Sequence, residues 1–156
     1  MPAARKAPLI DIIRNSDLWD GLPEADDIVR RAIAEAQREA SSGEAEIAIV
    51  LTDDSEIRDL NRTWRQQDKP TNVLSFPAGA SGGTHLGDIV IAFETVAREA
   101  SAEHKTVGHH LAHLTVHGYL HLLGHDHNDD SEAEKMERLE TAILARLGIA
   151  DPYAAA

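Results

Sequence analysis

Residues 113–127 read HLTVHGYLHLLGHDH, and this stretch decides how the rest of the chain is interpreted. His117 and His121 are one helical turn apart, so on a helix both imidazoles leave the same face at neighbouring heights. Gly124 can adopt a positive φ and end the helix, which turns the chain so that His127 returns towards the pair. Three neutral imidazoles, with a fourth position left to water, are typical of a catalytic zinc site. We therefore predict one zinc ion per chain, held by these three histidines.

The spacing also matches the metzincin protease signature H-E-x-x-H-x-x-G-x-x-H at every histidine and at the glycine. Position 118 is glycine in this chain, whereas those proteases have a glutamate there that acts as the general base. The missing glutamate argues against peptide hydrolysis but leaves the metal ligands intact. A metal-dependent peptidase is kept as an alternative.

The remaining histidines of this region receive weaker assignments. His113 lies one turn before His117. We expect it either to support a metal ligand without binding the metal itself or to pack in the core. His125 lies in the turn after the helix, where it could orient a ligand or cap the helix end. Surface positions are expected for three others: His104, His109 and His110.

Length and composition indicate one globular domain that spans residues 1–156. The chain has no cysteine, which excludes disulfides and thiolate metal ligands. Neither a signal peptide nor a membrane-spanning segment is visible, so we expect a cytoplasmic protein that does not bind membranes. The net charge of −12 argues against a general nucleic-acid binder, and a polyanionic substrate would need a local positive patch or a metal ion.

Apolar periodicity predicts an α+β fold with one domain, in which about five helices pack on one mixed sheet of roughly four strands around a buried, histidine-bearing central helix. The predicted strands cover residues 8–14, 44–51, 72–76 and 86–93. The predicted helices cover residues 23–40, 52–68, 94–102, 107–123 and 131–148. Thr52 and Ser131 are predicted as helix N-caps, and Trp64 is predicted to face the core.

A second cluster of interest is the densest basic stretch of this acidic chain. It contains Arg58, Arg62, Arg65 and Lys69. Composition alone favours a solvated helix face. The alternative is a phosphate-binding surface, because guanidinium groups are permanently charged and bind phosphate through two parallel hydrogen bonds.

Together the two clusters resemble the YbeY family, bacterial endoribonucleases that act in ribosomal RNA maturation. The resemblance rests on HGYLHLLGHDH at 117–127, NRTWRQQDKPTNVLSFP at 61–77, LGDIVIA at 86–92 and DPY at 151–153. It spans roughly residues 45–153. The family often has tyrosine at the position of His125.

The resemblance implies zinc on His117, His121 and His127, and a functionally important arginine at Arg65. It further implies cleavage of single-stranded RNA, 3′-end maturation of small-subunit ribosomal RNA and a part in ribosome quality control. The implied partners are the small ribosomal subunit, its proteins and an Era-type GTPase. The general base stays open among a neighbouring histidine, Asp88 and the RNA 2′-hydroxyl, and a non-catalytic zinc-bearing assembly factor is a further alternative.

Overall fold

A computed structural model describes residues 9–41, 45–79, 83–125 and 128–153. These residues form an α+β fold, as predicted. The strands are β1 (Leu9–Arg14), β2 (Glu46–Thr52), β3 (Val73–Pro77) and β4 (His85–Ala92). The helices are α1 (Ala25–Glu39), α2 (Asp54–Arg65), α3 (Phe93–Ala102), α4 (Val107–Leu122) and α5 (Asp130–Arg146), with a short 3-10 helix at Asp17–Gly21. Within these ranges no helix is both long enough and apolar enough to cross a bilayer.

The four strands form one mixed sheet in the order β1-β2-β4-β3, which confirms the predicted sheet. β1, β2 and β4 are parallel, whereas β3 is antiparallel to β4 and lies at the edge. Ile89 of β4 pairs with Ile49 on one side and with Ser75 of the edge strand on the other. The edge strand therefore lies beside a central strand that is almost wholly buried.

Both faces of the sheet are covered. Successive side chains of a strand point to opposite faces, so neighbouring residues of β4 join different hydrophobic clusters. Ile89 and Ile91 join the larger core, which they share with α1, α4 and α5. Val90 and Ala92 join a smaller cluster with Ile57 of α2. α4 packs against α1, α3, α5 and β3, so the predicted histidine helix is buried at the centre of the fold.

Two predicted N-caps are wrong. α2 is capped by Asp53 and not by Thr52, and the Asp53 carboxylate accepts a hydrogen bond from a backbone N–H three residues on (2.9 Å). α5 is capped by Asp129 and not by Ser131, with the same geometry (2.8 Å). In both cases a nearby aspartate takes the position, because its charge also interacts favourably with the positive end of the helix dipole.

Candidate active site

The rings of His117 and His121 converge as their spacing predicts. Their Nε2 atoms face each other at 3.0 Å, and the ring centroids are 4.5 Å apart. Two nitrogen ligands of one tetrahedral zinc ion would lie about 3.3 Å apart, given Zn–N bonds of about 2.0–2.1 Å. The pair therefore fits a shared metal ion with only a small adjustment.

The chain after α4 turns as expected, but the third predicted ligand cannot be placed. α4 ends at Leu122, and Gly124 has a φ of +97°, which confirms the predicted positive φ. The N–H of His125 then donates to the carbonyl of Leu120 (3.1 Å). His127 lies outside the described residues, so its assignment as a ligand stays a prediction.

Glu140 on α5 is the residue of this site that the sequence analysis missed. Its side chain is fully buried (0% exposed). Its carboxylate accepts hydrogen bonds from His113 Nε2 (3.0 Å), from His117 Nδ1 and from the hydroxyl of Tyr153. The carboxylate of Glu140 thus lies beside Nδ1 of His117, whereas His121 lies beside the other ring nitrogen.

The charge of Glu140 follows from these contacts. Burial raises the pKa of Glu140, but the hydrogen bonds from His113, His117 and Tyr153 outweigh burial and hold this pKa at about 2. Burial and the adjoining carboxylate raise the pKa of Tyr153, so its hydroxyl stays protonated and donates a hydrogen bond to Glu140. Glu140 is therefore ionised at neutral pH, and as a hydrogen-bond acceptor it favours the His117 tautomer with hydrogen on Nδ1.

Among the described residues, His113, His117 and Glu140 form a group that could hold a metal ion, with ligand atoms within 4.8 Å of one another. Glu140 contacts Nδ1 of His117, whereas His121 faces its Nε2. His117 is common to this group and to the His117–His121 pair.

The other histidines divide as follows. His104 and His109 are exposed, as predicted. The surface assignment of His110 is wrong: it is buried on α4, and its Nε2 lies 2.8 Å from the carboxylate of Glu99. Burial lowers the pKa of His110. His113 is turned towards Glu140, and its Nε2 lies 3.0 Å from the carboxylate; its expected supporting role stays a prediction.

Gly118 brings α4 into close contact with the sheet. A Cβ at this position would lie 2.9 Å from Ile89 Cγ2 and 3.1 Å from Ser75 Oγ. The Ser75 hydroxyl also donates to the carbonyl of Gly118 (3.1 Å). The space that a protease glutamate would need is therefore filled by β3 and β4, which explains the glycine in physical terms.

Arg65 shares a cavity with the two histidines. The cavity has a volume of about 340 Å³. Its described lining comprises Arg65, Asn72, Val73, Leu74, Ser75, Pro77, His117, His121, Gly124 and His125. Arg65 donates to the carbonyl of Ser75 (3.1 Å), and its guanidinium lies 6.0 Å from the centroid of the Phe76 ring. These contacts hold a positive charge on the wall of the cavity.

The rest of the basic stretch does not belong to this cavity. Arg58 pairs with Asp68 (2.8 Å), and Arg62 pairs with Asp59 (3.1 Å). Both arginines are exposed, so the interpretation as a solvated helix face holds for them. Arg65, by contrast, forms no ion pair with any residue in the described part of the chain. It is the arginine of this stretch that remains available to an anion in the cavity.

The prediction that Trp64 faces the core is wrong. Its side chain is 65% exposed, although it lies on the same stripe of α2 as the buried Ile57. An indole and the Arg65 guanidinium are thus presented by consecutive exposed residues at the C-terminal end of α2.

Comparison with known proteins identifies relatives along nearly the whole chain. Residues 15–148 match the model of a family described as Endoribonuclease YbeY. A protein of that name from Bradyrhizobium sp. strain BTAi1 is 55% identical over 157 residues, covering 94% of this chain and 93% of the relative. Its namesake from Azorhizobium caulinodans is also 55% identical, covering 93% and 96%. The solution structure of a Thermotoga maritima protein aligns with a TM-score of 0.52 at 25% identity, covering 94% of this chain and 100% of that one.

Proposed function

The chain belongs to the endoribonuclease YbeY family, and we propose that it is a zinc-dependent endoribonuclease that cuts single-stranded RNA. Its substrate is the precursor of small-subunit ribosomal RNA, which it matures at the 3′ end, and it takes part in ribosome quality control. It works in the cytoplasm with the small ribosomal subunit, its proteins and an Era-type GTPase. One observation carries the chemistry: two imidazole Nε2 atoms face each other in a cavity whose wall also holds a guanidinium.

In this proposal His117 and His121 hold the metal through Nε2, and His127 is the third ligand. Imidazole nitrogens suit zinc among the first-row metals. A zinc ion supplies a Lewis acid that polarises a phosphoryl oxygen and lowers the pKa of a water molecule towards neutrality. The hydrogen bond between Glu140 and Nδ1 of His117 supports the choice of Nε2, because Nδ1 is already engaged by the carboxylate.

Arg65 and Trp64 supply the contacts with RNA. The guanidinium of Arg65 lies on the cavity wall and would stabilise the negative charge that develops on the phosphorus oxygens. The exposed indole of Trp64 offers a surface on which a base can stack. A cationic group beside an aromatic ring is the usual combination for binding single-stranded nucleic acid, because the two groups take a phosphate and a base.

The surroundings of Asp88 and His125 favour His125 as the proton acceptor. Asp88 lies 2.9 Å from His85 and is not among the described residues that line the cavity. His125 lines the cavity and is an imidazole that does not belong to the proposed ligand set. In this proposal His125 accepts the proton of the attacking group, which is either a water molecule or the RNA 2′-hydroxyl.

The packing around Gly118 disfavours the peptidase alternative. The protease mechanism requires a carboxylate at this position, and the backbone here lies too close to Ile89 and Ser75 to admit one. The carboxylate of Glu140 cannot replace it, because Glu140 contacts Nδ1 of His117 and not the side that faces His121.

The test compares metal-free, zinc-reloaded and magnesium-reloaded protein on a labelled single-stranded RNA, on the same RNA as a duplex, and on casein. We expect cleavage of the single strand alone, restored by zinc to the reloaded protein. Cleavage of casein would support the peptidase alternative. Zinc uptake without cleavage of any RNA would support the assembly factor and contradict the proposed nuclease.

A further inference from the structure

The C-terminal turn after α5 is anchored to the helix and reaches into the site. The carboxylate of Asp151 accepts hydrogen bonds from the N–H of Tyr153 (2.8 Å) and from the Thr141 hydroxyl (3.2 Å). This places the hydroxyl of Tyr153 on the carboxylate of Glu140, although 44% of the tyrosine surface is exposed. A short segment near the C-terminus is thus tied to the histidine helix through one buried glutamate.

The two carboxylate oxygens of Glu140 have separate partners. Oε1 accepts from His117 Nδ1, while Oε2 accepts from His113 Nε2 and from the hydroxyl of Tyr153. The donors come from α4 and from the C-terminal turn, and Glu140 comes from α5. Because both oxygens already accept hydrogen bonds, the carboxylate is fixed in orientation and has little freedom to turn towards a metal ion.

We propose that Glu140 and Tyr153 are positioning residues that fix His117 as the tautomer with hydrogen on Nδ1, so that its Nε2 points to the metal. Tyr153 acts through Glu140, and Glu140 acts through His117. A carboxylate that accepts from the free ring N–H of a metal-binding histidine raises the basicity of that histidine and limits its rotation. The inference rests on the proposed function, since it takes Nε2 of His117 to be a metal ligand.

A second carboxylate–histidine pair on α4 provides a matched control. Glu99 lies 2.8 Å from Nε2 of the buried His110, and it also accepts from Asn72 (2.9 Å). Neither Glu99 nor His110 is among the described residues that line the cavity of His117 and His121. Replacing Glu99 therefore removes the same kind of interaction from the same helix, but it removes no hydrogen bond from Glu140 or from His117.

The experiment measures zinc affinity of the full-length protein by competition with a chromophoric chelator, which does not depend on RNA cleavage. The variants are Glu140→Gln, Tyr153→Phe and the control Glu99→Gln. We expect Glu140→Gln to weaken zinc binding about 10- to 100-fold. Tyr153→Phe removes one of three hydrogen bonds and should weaken binding about two- to tenfold. Glu99→Gln should bind zinc as the wild type does.

The visible spectrum of cobalt-loaded protein separates a positioning residue from a ligand. We expect Glu140→Gln to keep the wild-type spectrum at saturating cobalt, because the ligands are unchanged. A changed spectrum would make Glu140 a ligand and overturn the inference, as would wild-type zinc affinity in both Glu140→Gln and Tyr153→Phe. If Glu140→Gln does not fold, Tyr153→Phe alone decides the matter, since its ring is partly exposed. A wild-type protein that binds no metal contradicts the proposed function itself.

Discussion

Replacement of Gly118 by alanine should destabilise the protein, although alanine is normally the better helix residue. The new Cβ would lie 2.9 Å from Ile89 Cγ2 and 3.1 Å from Ser75 Oγ. The first of these atoms is the branch methyl of a β-branched residue in a central strand, so it has little freedom to move aside. Overpacking of this kind costs about 1–3 kcal/mol.

The matched control is Gly108→Ala at the start of the same helix. There the new Cβ would meet Ile28 Cδ1 at 3.1 Å, which is the end of a flexible side chain that can rotate away. Gly118→Ala gains about 1 kcal/mol of helix propensity in the helix interior. Gly108→Ala, in the first turn, gains no more than this, so a lower stability of Gly118→Ala reports the steric cost at Gly118. We expect Gly118→Ala to be less stable than Gly108→Ala by about 1–3 kcal/mol.

Thermal and urea denaturation of the two variants and the wild type measure this difference. For a protein of this size each kcal/mol lowers Tm by about 2–4 °C, so a cost of about 2 kcal/mol separates the variants by about 4–8 °C. If Gly118→Ala proved as stable as Gly108→Ala, the close contact of α4 with β3 and β4 would be refuted, and with it the explanation for the missing protease glutamate.

Three further predictions concern RNA binding, catalysis and pH. Arg65→Ala should lower single-turnover RNA cleavage about 10²- to 10³-fold by removing a charge that stabilises the transition state, whereas Arg62→Ala, whose arginine pairs with an aspartate, should cleave normally. Single-stranded RNA should quench the fluorescence of exposed Trp64, and Trp64→Phe, which retains only the fully buried Trp19, should show no quenching. Burial lowers the pKa of His110, so the unfolded chain binds a proton on this residue more readily than the folded protein does. The free energy of unfolding should therefore fall as the pH drops below about 6.5. A wild-type Tm that falls no more steeply than that of His110→Gln between pH 7.5 and 5.5 would contradict this.

The histidine helix could be predicted because the residues that define it are close together in the sequence. The spacing of His117 and His121 fixes their relative direction on any helix, and Gly124 indicates where the helix ends. The order of the strands in the sheet is set by contacts between distant parts of the chain, and the sequence does not state it.

Glu140 was missed because it reaches the site through the packing of α5 on α4. A signal was nevertheless present, since Glu140 occupies the apolar stripe of α5 between Met136 and Ile143, both fully buried. A charged residue on a core stripe requires a buried partner. The error at Trp64 has the opposite cause: periodicity identifies the face of a helix but not whether a neighbour covers it.

The most direct test of the central claim is the zinc content of His121→Ala beside His113→Ala, measured together with cleavage of single-stranded RNA. We predict that the wild type holds one zinc per chain and that His121→Ala loses both zinc and cleavage. His113→Ala, which loses a hydrogen bond to Glu140 and ring contacts with His117 and Tyr153, should still bind zinc. Full zinc content and cleavage in His121→Ala, with loss of zinc in His113→Ala, would contradict the account and assign the metal to His113, His117 and Glu140.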